Sequence, residues 1–217
     1  MADGTLKVGE ITNSAGTGSI VFGVGVSHTM QVFTSGSGTY TTPTNCRAIW
    51  VRCVGAGGGG GGSGTASQTS GTDGGTTTFG VLSALGGKGG NHSQAGGMGG
   101  LSQMATGGDF NCFGGTGQSM PNNSSPALYQ NYGGAGGNSI YGGGSPGGAN
   151  GSGVTGAAGK AYGGGGGGAY SQSFINSPSA TYSYAIGSGG AGGAVGTAGG
   201  TGGVGYGGCI IVMEFYV

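Results

Sequence analysis

Eight glycines, Gly187, Gly190, Gly193, Gly196, Gly199, Gly202, Gly205 and Gly208, take every third position of residues 187–208 without exception. An α-helix repeats its side chains every 3.6 residues and a strand every two. A three-residue period belongs to the polyproline II class of helix, which rises about 3.1 Å per residue and makes no internal hydrogen bonds. Gly55, Gly58, Gly61 and Gly64 repeat the spacing, as do Gly153, Gly156 and Gly159. Glycine-rich tracts run through 55–64, 86–100, 107–117, 133–137, 142–168 and 187–208, and the phase resets between them.

A helix without internal hydrogen bonds must satisfy its N–H and C=O groups from outside. Neighbouring helices can do so laterally if their backbones approach closely, which glycine on the contacting edge permits. Ordering 65 glycines costs on the order of 65–130 kcal/mol, at about 1–2 kcal/mol each, so a cooperative lateral network has to offset it. A bundle of polyglycine II helices meets this demand. Collagen requires abundant proline, but 187–208 has none and the whole chain five. A flexible linker would be rich in serine, whereas these tracts carry placed Ala, Val, Ile and Tyr.

Around the tracts the sequence reads as β-structure. Short apolar or threonine-rich segments occur at 21–26, 29–34 and 39–42, and Ala48–Val54 alternates as a strand does. Residues 76–85 and 181–186 are rich in β-branched and aromatic side chains. The last nine residues, CIIVMEFYV, form the strongest strand pattern. No sustained 3.6-residue period appears. The expected fold is an all-β shell with a bundle of polyglycine II helices and almost no α-helix. Ile49 and Trp50 are expected in the strand core, and Phe79, Tyr162 and Tyr206 against the bundle as caps.

Composition narrows the function. Charged residues are 5 % of the chain, and five Lys and Arg balance five Asp and Glu, which leaves no basic footprint for nucleic acid. No apolar run approaches the ~18 residues that span a bilayer, so no membrane insertion is expected, and no signal peptide is read at Met1. Cys46, Cys53, Cys112 and Cys209 show no CxxC spacing and are read as reduced small hydrophobes. Gly55, Gly57 and Gly60 match GxGxxG after a strand, with Asp73 at the distance of a ribose-binding acid. No helix follows, so the dinucleotide reading lacks its βαβ context. His28 and His92 are the only histidines, and the acids are scattered. No enzyme activity, cofactor or metal is expected.

The order AIWVRCVGAGGGGGGSG, TTTFGVLSALGGKGG, AYGGGGGGAY, YSYAIGSGGAGG and GYGGCIIVMEFYV resembles the glycine-rich domain at the ends of bacteriophage tail fibres. The opening DGTLKVGEITNSAGTGSI resembles N-terminal segments of phage fibre and virion-decoration proteins. In that family, adhesins of T-even-like phages build a sandwich of polyglycine II helices whose end loops contact the host. The resemblance implies a non-enzymatic tail-fibre tip or adhesin. Its location would be the virion, after synthesis in the host cytoplasm. Its partners would be a bacterial surface receptor, either an outer-membrane protein or a glycan, and other virion fibre chains. It also implies a homo-oligomer, with homotrimer the usual fibre symmetry. The alternative is a structural or decoration protein whose loops serve assembly.

Two domains are expected: residues 1–38 for attachment or oligomerisation, and 39–217 as the glycine-rich domain. Because flat glycine faces carry little chemistry, recognition is assigned to loops. Candidate receptor-binding residues are Phe110 and Phe113, then Asn122, Asn123, Tyr129 and Tyr132 in 118–132, and Tyr170, Phe174 and Asn176 in 170–181. Tyr, Ser, Asn and Gly are also what antibody loops use for adaptable contact.

Overall fold

The computed structural model describes residues 27–64, 66–92, 104–117, 139–141, 167–197 and 199–216. All regular structure among them is β-strand, in keeping with the expected near absence of α-helix. The strands are β1 (His28–Phe33), β2 (Ser37–Thr41), β3 (Cys46–Val54), β4 (Thr77–Phe79), β5 (Leu82–Ala84), β6 (Ala105–Thr106), β7 (Phe110–Cys112), β8 (Tyr170–Asn176), β9 (Thr181–Ala185) and β10 (Cys209–Tyr216). They form two five-stranded sheets, ordered β1-β10-β3-β8-β7 and β2-β9-β4-β5-β6. Every pairing is antiparallel. The two sheets pack face to face.

Strand alternation decides what enters the core between them. Ile49, Val51 and Cys53 of β3 and Ile210 and Val212 of β10 point inward, meeting Tyr40, Phe79, Leu82 and Ala84 from the second sheet. Phe79 is fully buried there, its ring stacked on Tyr182 at 5.0 Å; it is a core residue of the sandwich and not a cap on the glycine tracts. Trp50 also departs from expectation. Neighbours along a strand face opposite ways, so with Ile49 in the core Trp50 lies on the outer face. The β4–β5 connection is a two-residue turn in which Gly80 takes φ +55°, a region glycine enters without penalty.

The expected domain boundary after residue 38 falls inside β2, and β1 pairs with β10 along its whole length. Residues 28–38 thus belong to the sandwich. Residues 170–176, read from sequence as part of a loop, form β8 between β3 and β7.

The glycine-bearing segments leave this sandwich at one end. Val54 of β3 continues into 55–64, while 66–75 returns into β4; β5 continues into 86–91, β9 into 187–197, and 199–208 returns into β10. Segment 55–64 is central. The N–H groups of Ala56, Gly59 and Gly62 donate to the carbonyls of Gly75, Thr72 and Thr69, and those of Gly57, Gly60 and Ser63 to Tyr206, Gly203 and Gly200. Its carbonyls at Gly57, Gly60 and Ser63 accept from Gly190, Gly193 and Gly196, and those at Ala56 and Gly59 from Gly87 and Gly90. All are 2.8–3.1 Å long and step by three residues. Their registers run 66–75 and 199–208 antiparallel to 55–64, and 86–91 and 187–197 parallel to it.

Candidate functional site

Outward-facing residues of the first sheet form a grid fixed by the strand register. Nearest the glycine segments lie Cys209, Val54, Tyr170 and Cys112; the next row is Val32, Ile211, Arg52, Gln172 and Phe110; then come Met30, Met213, Trp50 and Phe174; then His28, Phe215, Ala48 and Asn176. Met30, Val32, Phe110 and Phe174 are 47–61 % exposed. The second sheet is the reverse. Its outer face carries Ser37, Thr39, Thr41, Thr78, Ser83, Thr106, Thr181 and Ser183, with Ala185 the one apolar residue in their rows. An antiparallel sheet with one solvated face normally shows the hydroxyl pattern of the second sheet.

Four sequence candidates meet on the apolar face: Phe110, Tyr170, Phe174 and Asn176. Tyr170 is buried, with its ring edge-on to Phe110 at 6.3 Å and to Tyr141 at 6.0 Å. Its hydroxyl donates to Gln172 Oε1 at 2.6 Å, and burial pushes its pKa upward. Phe174 packs on Phe215 at 5.7 Å. Phe113 follows β7 and is exposed. Asn122, Asn123, Tyr129 and Tyr132 lie outside the described residues.

The Asp109 carboxylate holds the β7 edge to β8. Its Oδ2 accepts from the Phe174 N–H and from Ser173 Oγ, both at 2.8 Å. These bonds, the backbone one first, keep its pKa below the usual carboxylate value. Ser171 Oγ donates to Asn111 Oδ1 at 2.7 Å across the same pair of strands.

Sequence reasoning missed the centre of this face. Arg52, on the middle strand, sets its guanidinium 3.8 Å above the Trp50 ring and its Nη2 3.9 Å from Met213 Sδ. Its Nε is buried and has no acceptor among the described residues. A signal was present: β3 and β10 read AIWVRCV and CIIVMEFYV, near-continuous apolar runs of the kind a strand covered on both faces shows.

A second concavity, an open groove of about 570 Å³, runs beside the glycine segments along Thr69, Thr72, Ala191, Ala194, Thr201 and Val204. Two of its threonine hydroxyls are already used. Thr72 Oγ1 accepts from Ala191 N–H at 2.7 Å and Thr69 Oγ1 from Ala194 N–H at 2.8 Å, which leaves the wall short of free polar groups. Asp73, at the distance of a ribose-binding acid, instead pairs with Lys88 at 2.5 Å and accepts from Gly89 N–H at 2.9 Å, tying 66–75 to 86–91. No family model, curated protein or solved structure matches the chain. Among the described residues, no three His, Cys, Asp or Glu side chains gather to hold a metal, and no helix is long and apolar enough to cross a membrane. All four cysteines are free; Cys53 faces the core, where burial pushes its thiol pKa upward, and Cys209 lies on the opposite face of the sheet, its thiol pushed up to about 11 by burial.

Proposed function

We propose that this chain is a bacteriophage tail-fibre tip, an adhesin that recognises a bacterial surface receptor without catalysis, and that its glycine segments form a bundle of polyglycine II helices carried on the β-sandwich. The observation that carries the reading is the three-residue step of the lateral hydrogen bonds from 55–64 to four neighbouring segments. That step matches the three residues per turn of the polyproline II class. At about 3.1 Å per residue, the nine steps from Gly55 to Gly64 reach about 28 Å from the sandwich. One end of the molecule is then a sandwich and the other a set of segment connections, a polarity suited to a tip.

Receptor contact in this reading belongs to Asn122, Asn123, Tyr129 and Tyr132, with the receptor an outer-membrane protein or a glycan and other fibre chains as neighbours, the assembly being a homotrimer. Fluorescently tagged chain incubated with a panel of bacteria is expected to bind a few strains saturably, and Tyr129→Ala with Tyr132→Ala to abolish that binding. A folded chain that binds no strain overturns the adhesin. The reading would then pass to a structural virion component, which the apolar face of the first sheet favours.

A further inference from the structure

We propose that the outer face of the first sheet is a docking surface for a different protein, whose contact region is apolar and sets one carboxylate against Arg52. The two outer faces of one sandwich differ in kind. The second sheet shows water a field of serine and threonine, and the first shows Met30, Val32, Ile211, Met213, Trp50, Phe215, Phe174 and Phe110. A contiguous apolar face of this breadth on a soluble surface marks an interaction site. Aromatic, methionine and arginine side chains are also the types enriched at interface centres.

Charge identifies the occupant. Arg52 is the single Lys or Arg in the four paired rows of the face, which hold no Asp or Glu, and Arg47, exposed at the β3 bulge, lies beyond the last of them. Its Nε is shielded from water yet lacks an acceptor among the described residues. The acids of the described chain are committed elsewhere: Asp73 to Lys88, Asp109 to Ser173 and the Phe174 N–H, and Glu214 to hydroxyl and amide donors inside the sandwich. A second copy docked face to face would bring a second Arg52 and no acid, burying two like charges without compensation. A carboxylate from another protein satisfies the guanidinium in the fork geometry arginine favours. The surrounding methionines and aromatics supply the desolvated ring that such a pair needs.

The test uses the full-length chain. Light scattering is expected to show that Met30→Lys and Phe174→Lys, both at exposed positions, leave the mass unchanged. A dimer or trimer that those substitutions dissociate would give the face to a second copy and overturn the proposal. Brief peroxide treatment is expected to oxidise Met30 in the free chain at close to the unfolded rate. Strong protection in a monomer would mean that the chain itself, through residues 1–26 or another part, covers the face. The probe for the partner is a displayed library of randomised 12-residue peptides, selected on the wild-type chain. Selected binders are expected to combine apolar residues with one Asp or Glu, and to weaken about tenfold or more on Arg52→Gln. Changing the peptide's acid to its amide should add little to that loss. Binders without acid preference, or binding indifferent to Met30→Lys and Phe174→Lys, overturn the proposal. Val32→Lys, on edge strand β1, is the independent variant should one of those two misfold.

Discussion

Glu214 is a buried carboxylate with no cation paired to it among the described residues. It sits 2 % exposed on the inner face of β10, where Tyr40 Oη donates to Oε1 at 2.9 Å, Gln31 Nε2 to Oε1 at 2.7 Å and Tyr216 Oη to Oε2 at 3.0 Å, with Thr29 Oγ1 also donating to Oε2. Burial alone would raise its pKa, but the four donors outweigh burial and hold it below 4.5. The folded value is therefore depressed: the stabilisation is full above the unfolded value and is lost as pH falls through the folded one. Glu214→Gln is expected to cost about 2 kcal/mol at pH 7, within the range for hydrogen bonds to a charged group. Its penalty should shrink between pH 5 and pH 2, as urea denaturation at each pH would show; a pH-independent penalty would mean that the charge contributes nothing. The same scale limits what sequence can tell. Ile49 and Trp50 are both large, apolar and adjacent, and only the pairing of β3 with β10 and β8 decides which one enters the core.

At the scale of elements, the strands were legible where β-branched and aromatic residues ran together, as in β3, β9 and β10. They were illegible where the pattern was polar or short. The strand β8, YSQSFIN, sets Ser171, Ser173 and Ile175 inward and aromatic and amide residues outward, so its largely polar composition reads as a loop. Segment 66–75 is hidden in the sequence because its positions facing solvent carry Thr and Ser, although Gly71 and Gly74 keep the spacing of three. What the spacing encodes is steric. A Cβ on Gly58 would lie 2.3 Å from the Lys88 carbonyl oxygen, and one on Gly202 would lie 2.0 Å from that of Gly60; at Gly207, off the period, the nearest atom is 3.6 Å away. Gly58→Ala and Gly202→Ala are expected to destabilise the chain by about 3 kcal/mol or more, since backbone must move. Gly207→Ala should be neutral or stabilising by up to about 1 kcal/mol through the unfolded state. Comparable losses at all three positions in urea denaturation would show that close approach is not what the period serves.

For the whole molecule, the decisive feature is that one hydrogen-bonded network crosses from sandwich to glycine segments. Gly55 N–H donates to the Ala169 carbonyl at 2.9 Å, and Gly187 N–H donates to the buried Thr77 Oγ1 at 3.1 Å, so the seam between the two regions is satisfied by backbone and by a core threonine. Glycine segments have almost no side chains to bury. Their ordering cost, about 1–2 kcal/mol per residue, must be met by lateral bonds that exist only while the segments remain in register, and the strands impose that register. Sandwich and segments should therefore open together. Amide hydrogen exchange is expected to protect Gly57, Gly60 and Gly190, whose N–H groups bond within the array next to the sandwich, to about the same free energy as Val51 in β3. Protection should decline toward Thr69 and Thr197 at the far end, where opening need not disturb the sheets. Exchange of Gly57 and Gly60 within seconds while Val51 stays protected would mean two independent units, and the strands could then no longer be what holds the three-residue register.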